Sequence, residues 1–83
     1  MNLYDQLRRM ERLDRMLKTR STGTPKELAQ KLQLSPSQVY QIIRSLKCDL
    51  NAPIYYSRTY QSYYYEEECS LSELLKKLKI LQD

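Results

Sequence analysis

The sequence predicts a mostly helical single domain with a small β-hairpin: three helices forming a core, two strands after them, and one further helix at the C-terminus. Three observations predict it. The pattern hydroxyl, Pro, any residue, Glu or Gln occurs twice, as Thr24-Pro25-Lys26-Glu27 and Ser35-Pro36-Ser37-Gln38, eleven residues apart. The spacing of apolar residues changes from about 3.6 to about 2 after Asn51-Ala52-Pro53. A third capping signal, Ser70-Leu71-Ser72-Glu73, opens a leucine-striped C-terminal segment. A chain of 83 residues makes one domain and buries only about 60–65% of the surface its unfolded form exposes. Local signals therefore carry much of the specification.

Leu3, Leu7, Met10, Leu13, Met16 and Leu17 recur every three or four residues, which predicts an amphipathic first helix over 3–18. Arg8, Arg9, Arg12 and Arg15 fall between them, on the side expected to be solvated and paired at i,i+4, as Glu11 with Arg15. Arg20-Ser21-Thr22-Gly23 breaks the pattern, and the only glycine marks the turn.

Residues 24–49 then hold two helices. Each begins with a capping box and a proline at the first helical position. The second helix buries Leu28, Ala29 and Leu32 and runs no further than Gln33, because Ser35-Pro36 opens the third. The third helix, from Pro36 to about Asp49, places Val39, Ile42, Ile43, Leu46 and Leu50 on one face and Ser37, Tyr40, Gln41, Arg44 and Lys47 on the other. A connection of about three residues forces the two helices to cross sharply.

The hairpin is predicted over 54–67. Ile54-Tyr55-Tyr56-Ser57-Arg58 and Gln61-Ser62-Tyr63-Tyr64-Tyr65-Glu66 flank a polar turn around Thr59-Tyr60. A loop of even length pairs Tyr56 with Tyr63, Tyr55 with Tyr64 and Ile54 with Tyr65. Ile54, Tyr56, Tyr63 and Tyr65 then share the face packed on the helices. An odd loop swaps the faces of the second strand. The last helix, over 71–81, carries Leu71, Leu74, Leu75, Leu78 and Leu81 on one side. That stripe either completes the core against the first helix or pairs with its copy in a second subunit. A homodimer through this helix is the expectation, since a chain this small often needs such support.

Composition narrows the functional classes. The formal charge is +4, and its distribution is uneven. Residues 1–20 carry six Lys/Arg against three acids, residues 21–58 five against two, and residues 59–83 three against five, with Glu66-Glu67-Glu68 as a block. The basic excess over the first two thirds suits a polyanionic partner. No apolar run approaches the roughly 20 residues that span a bilayer, and the N-terminus does not read as a signal peptide. A cytoplasmic location is expected. Cys48 and Cys69 form no CxxC pair, lack histidine partners for zinc, and read as two small packing residues. With no histidine, no Gly-rich phosphate loop and no metal cluster, catalysis and a bound cofactor are not expected.

Residues 24–46, "TPKELAQKLQLSPSQVYQIIRSL", match the helix-turn-helix pattern of bacterial transcription regulators. Leu28, Leu32, Leu34, Val39 and Ile42 stand at its apolar positions and Ala29 at its small one. With "NAPIYYSRTYQSYYYE" following, residues 10–66 resemble the winged helix-turn-helix domain at the N-terminus of DeoR-type and biotin-repressor-like regulators. The resemblance covers about two thirds of the chain. It departs from the family at Gln33, where a glycine is usual because the backbone turns left-handed; a non-glycine residue there costs about 1 kcal/mol.

The resemblance implies a bacterial, nucleoid-associated regulator of transcription that binds double-stranded DNA. The third helix (36–49) would enter the major groove and the wing (54–67) would lie on flanking backbone or minor groove. Gln41 and Arg44 are the candidates for base reading, since Gln pairs bidentately with adenine and Arg with guanine. Ser37, Gln38 and Tyr40 lie beside them. Lys26 and Lys47 are phosphate candidates, and Arg58 and Tyr60 stand at the predicted wing tip. The length leaves no room for an effector domain, so a small-molecule effector is not expected. One alternative is a protein-interaction module using the C-terminal leucines and the tyrosine-rich hairpin. Another is single-stranded nucleic acid binding, which requires several exposed rings; the predicted core face argues against it.

Overall fold

A computed structural model describes residues 2–77. Four helices and one hairpin follow in the order α1 (Leu3–Thr19), α2 (Pro25–Leu32), α3 (Pro36–Asp49), β1 (Ile54–Ser57), β2 (Ser62–Tyr65) and α4 (Leu71–Lys77). Leu78 and Leu81 of the expected C-terminal stripe lie outside the described residues.

The ends of the helices are chemically fixed. Asn2 starts α1, its side chain accepting from the Asp5 N–H at 2.8 Å. Thr24 and Ser35 each complete a reciprocal capping box, with Glu27 and Gln38 reaching back to the N–H groups of Thr24 and Ser35 at 2.9 Å. The Thr24 backbone N–H, and then its hydroxyl, hold the Glu27 carboxyl below its ordinary range. Gly23, at φ +77°, faces this box: a Cβ there would meet Glu27 Oε1 at 2.9 Å and displace the cap.

Between α2 and α3, Gln33 adopts the left-handed conformation (φ 57°, ψ 43°) expected of that position. Its N–H bonds to the Gln30 carbonyl and the Leu34 N–H to that of Ala29 (2.9 Å), a Schellman turn that leads Leu34 back onto the core. The same device closes α1, where Arg20 (φ 53°) is left-handed and the Ser21 N–H returns to the Met16 carbonyl.

The core gathers Leu13 and Leu17 of α1, Leu28, Ala29 and Leu32 of α2, Val39, Ile43 and Leu46 of α3, and Ala52, Ile54, Tyr65 and Leu74 beyond them. The buried residues of α1 lie in its C-terminal half, with Met10 packed beside them. Leu3 and Leu7, expected on the buried stripe, are 68% and 61% exposed. Arg9 is level with the last residue of α2, whose carbonyl it bonds, so the first turns of α1 overhang that shorter helix.

The hairpin has the even-loop register, with Ile54 opposite Tyr65, Tyr55 opposite Tyr64, Tyr56 opposite Tyr63 and Ser57 opposite Ser62. Ile54 and Tyr65 are buried, Tyr63 is half-buried, and Tyr56 packs edge-on against Tyr63 with centroids 5.0 Å apart while remaining exposed. Burial of Tyr56 was expected and is not found, because the core lies beneath the Ile54–Tyr65 end of the ribbon. On the outer edge of β2, Thr22 is fully buried, its N–H donating to Ser62 Oγ (2.9 Å) and its Oγ1 accepting from the Tyr63 N–H (2.8 Å).

Asp14 joins three elements. Its Oδ1 accepts from the Tyr65 hydroxyl (2.6 Å) and from the Leu71 N–H that opens α4 (2.9 Å), and its Oδ2 pairs with Lys18 (3.2 Å). Ser70 caps α4 through the Glu73 N–H. Leu74 is 1% exposed and belongs to the chain's own core, with Leu71 packed beside it. Of the described C-terminal leucines only Leu75 faces solvent.

Candidate nucleic-acid interface

α3 is anchored by one face and bare on the other. Val39, Ile43 and Leu46 are buried, whereas Ser37, Gln38, Tyr40, Gln41, Arg44 and Lys47 are all exposed. No acid occurs in α3 before Asp49. Ser37, Gln41, Arg44 and Cys48 succeed one another at helical spacing along the exposed side. Cys48 is therefore a surface residue rather than the packing residue expected of it; Cys69 is half-buried against the core, and both are free thiols.

The candidate residues do not form one cluster. Gln38 and Gln41 flank a groove of about 630 Å³ between α3 and the overhanging part of α1, whose other wall includes Gln6, Arg9 and Met10. Gln38 is also held by its capping bond. Lys47 points the other way, its ammonium 5.6 Å from the centre of the Tyr55 ring. Lys26 is exposed on the first turn of α2. Arg58 and Tyr60 are exposed in the turn of the hairpin, and the Tyr60 N–H is fixed by Ser57 Oγ at 3.1 Å.

Three residues join this surface that the pattern of the sequence did not single out for it. Arg20, at the left-handed end of α1, places its guanidinium 5.1 Å from both the Tyr60 and the Tyr64 ring centres. Tyr55 and Tyr64, opposite one another on the outer face, carry Lys47 and Arg20. The predicted register already put these two rings back to back with the core face. Nothing in the sequence signalled Arg20, because its approach depends on how α1 ends.

The arginines of α1 also differ from expectation. Glu11 and Arg15 make the expected exposed pair, at 3.4 Å. Arg9 and Arg12, however, reach the C-terminal end of α2: Arg9 Nε donates to the Leu32 carbonyl (2.7 Å) and Arg12 Nη1 to that of Lys31 (2.9 Å). Two unpaired carbonyls and the negative end of the helix dipole are neutralised in one step. Lys31 in turn donates to the Ser21 carbonyl at 2.9 Å, tying α2 to the turn after α1.

Among the described residues, no three His, Cys, Asp or Glu side chains gather as metal ligands, and no helix is long and apolar enough to cross a membrane. Comparison with known proteins finds no matching family, no similar curated protein and no matching solved structure.

Proposed function

We propose that the chain is a winged helix-turn-helix domain that binds double-stranded DNA sequence-specifically, as a regulator of transcription. α3 enters the major groove, and the β1–β2 hairpin rests on flanking backbone or minor groove. The observation that carries the reading is the division of α3: an apolar face anchored by Val39, Ile43 and Leu46 opposite an exposed face of Ser37, Tyr40, Gln41, Arg44 and Lys47 without a carboxylate before Asp49. In this reading Arg44 and Gln41 meet base edges, Ser37 and Gln38 lie near the backbone or the outer bases, and Lys26, Lys47 and Arg58 meet phosphates.

The test is binding to duplexes selected from a random pool, measured across salt concentration. Affinity falls steeply with salt. Arg44→Ala costs roughly 1–3 kcal/mol at a selected site and relaxes its sequence preference, while Lys26→Ala weakens all duplexes alike. Equal affinity of wild type and Arg44→Ala for the selected site overturns the assignment.

A second reading, protein contact, is favoured by the overhang of α1. Leu3, Tyr4 and Leu7 are exposed there, and Leu7, Met10, Leu71 and Leu75 line one cleft with α4. The partner in this reading is a second copy of the chain. Sedimentation as a 10.0 kDa monomer at micromolar concentration removes the dimer.

A further inference from the structure

The outer face of the hairpin is a strip of three rings and two cations. Lys47 lies over Tyr55, Tyr55 faces Tyr64 across the ribbon, and Arg20 lies between Tyr64 and Tyr60. Tyr55 is 48% and Tyr60 61% exposed. Sheet formation accounts for Tyr55 and Tyr64, since tyrosine pairs well across strands. It does not account for Tyr60, which stands in the turn, nor for Arg20, which reaches both rings from a left-handed backbone that favours glycine.

We propose that this outer face binds single-stranded DNA, its rings stacking on unpaired bases while Lys47 and Arg20 take the phosphates. A guanidinium beside a ring has five N–H donors in a planar fork, and those turned from the ring can donate to phosphate oxygens. Bases inside a duplex are already stacked and cannot lie flat on tyrosine, whereas unpaired bases can. An acidic peptide would satisfy the two cations and leave the rings unused. The strip begins at Lys47 on α3, so it continues the surface assigned to duplex DNA. The choice of DNA over RNA rests on that reading; the strip itself does not.

The experiment is fluorescence anisotropy of a labelled dT oligomer of about fifteen nucleotides at low salt. Blunt duplex, an rU oligomer of the same length and a polyglutamate peptide serve as competitors, and each variant's fold is checked by thermal melting. Wild type binds the dT oligomer. Tyr55→Ala with Tyr64→Ala weakens it about tenfold or more, the corresponding Phe pair retains binding, and Arg44→Ala leaves it unchanged. Should the Ala pair fail to fold, Tyr60→Ala, which removes no strand pair, weakens binding at least about threefold by the same stacking loss. The proposal is overturned if wild type does not bind, if a folded Ala pair or Tyr60→Ala binds like wild type, or if polyglutamate competes as well as dT. Tighter binding of rU than of dT overturns the assignment to DNA. Weaker binding of the selected duplex by Arg44→Ala with intact dT binding separates this site from the one on α3.

Discussion

The Tyr65 hydroxyl donates to Asp14 Oδ1 across 2.6 Å, joining residues 51 apart in the chain. The same oxygen accepts the Leu71 N–H, so one carboxylate positions the second strand and the start of α4 against α1. Tyr65→Phe leaves the second bond in place and is expected to lower stability by about 1.5–2 kcal/mol, at the low end of the range for hydrogen bonds to charged groups. Asp14→Ala strands both donors and costs more, about 2–4 kcal/mol. Urea denaturation of the two variants measures both, and equal losses would show that Leu71 does not depend on the carboxylate.

The alkaline limb of stability follows from the same phenol. Burial, then the hydrogen bond to Asp14, push the Tyr65 hydroxyl well above its ordinary value. The unfolded chain loses this proton near pH 10 while the folded chain keeps it, so the unfolded state binds fewer protons and stability falls as pH rises past about 10. Below that pH the contribution is fully present. Unfolding free energies at pH 8 and 11 therefore diverge in the wild type and converge in Tyr65→Phe. A remnant slope persists from Tyr63, lifted by burial and then by Tyr56.

Gln33 holds φ 57° without being glycine. Gln33→Gly relieves the left-handed strain, partly offset by the greater freedom of glycine in the unfolded chain. The expected gain is about 0.5–1 kcal/mol, a rise of roughly 2–8 °C in the melting temperature. A lower melting temperature would show that the Gln33 side chain contributes more than its backbone costs.

Arg9 and Arg12 act on α2, not on solvent. Arg9→Ala, which removes the 2.7 Å bond to the Leu32 carbonyl, is expected to cost about 1 kcal/mol. Arg12→Ala, at a more exposed site, costs about half as much. Neither variant changes the salt slope of duplex binding, in contrast to Lys26→Ala, which lowers it by about 1. Parallel melting and salt-titration experiments distinguish capping from phosphate contact.

The helices were legible because their ends are written in short range. Thr24–Glu27 and Ser35–Gln38 are complete local instructions, and both capping boxes are formed. The hairpin register was legible because side chains alternate strictly, so one even loop fixed every pair. Burial was less so: the apolar period puts Leu3 and Leu7 on the stripe of Leu13 and Leu17, but which of them is covered depends on how far the neighbouring elements reach. On α3 the exposed polar face followed from the pattern. The approach of Arg20 and Lys47 to Tyr64 and Tyr55 did not, since cation–ring contacts depend on how separate elements dock.

Thr22 has a consequence beyond the packing it completes. A two-stranded ribbon has two outer edges, and either can recruit a foreign strand into a growing fibril. By capping the Tyr63 N–H and receiving support from Ser62, Thr22 closes the β2 edge to such templating. It thereby shields a tyrosine-rich segment whose composition favours cross-β stacking.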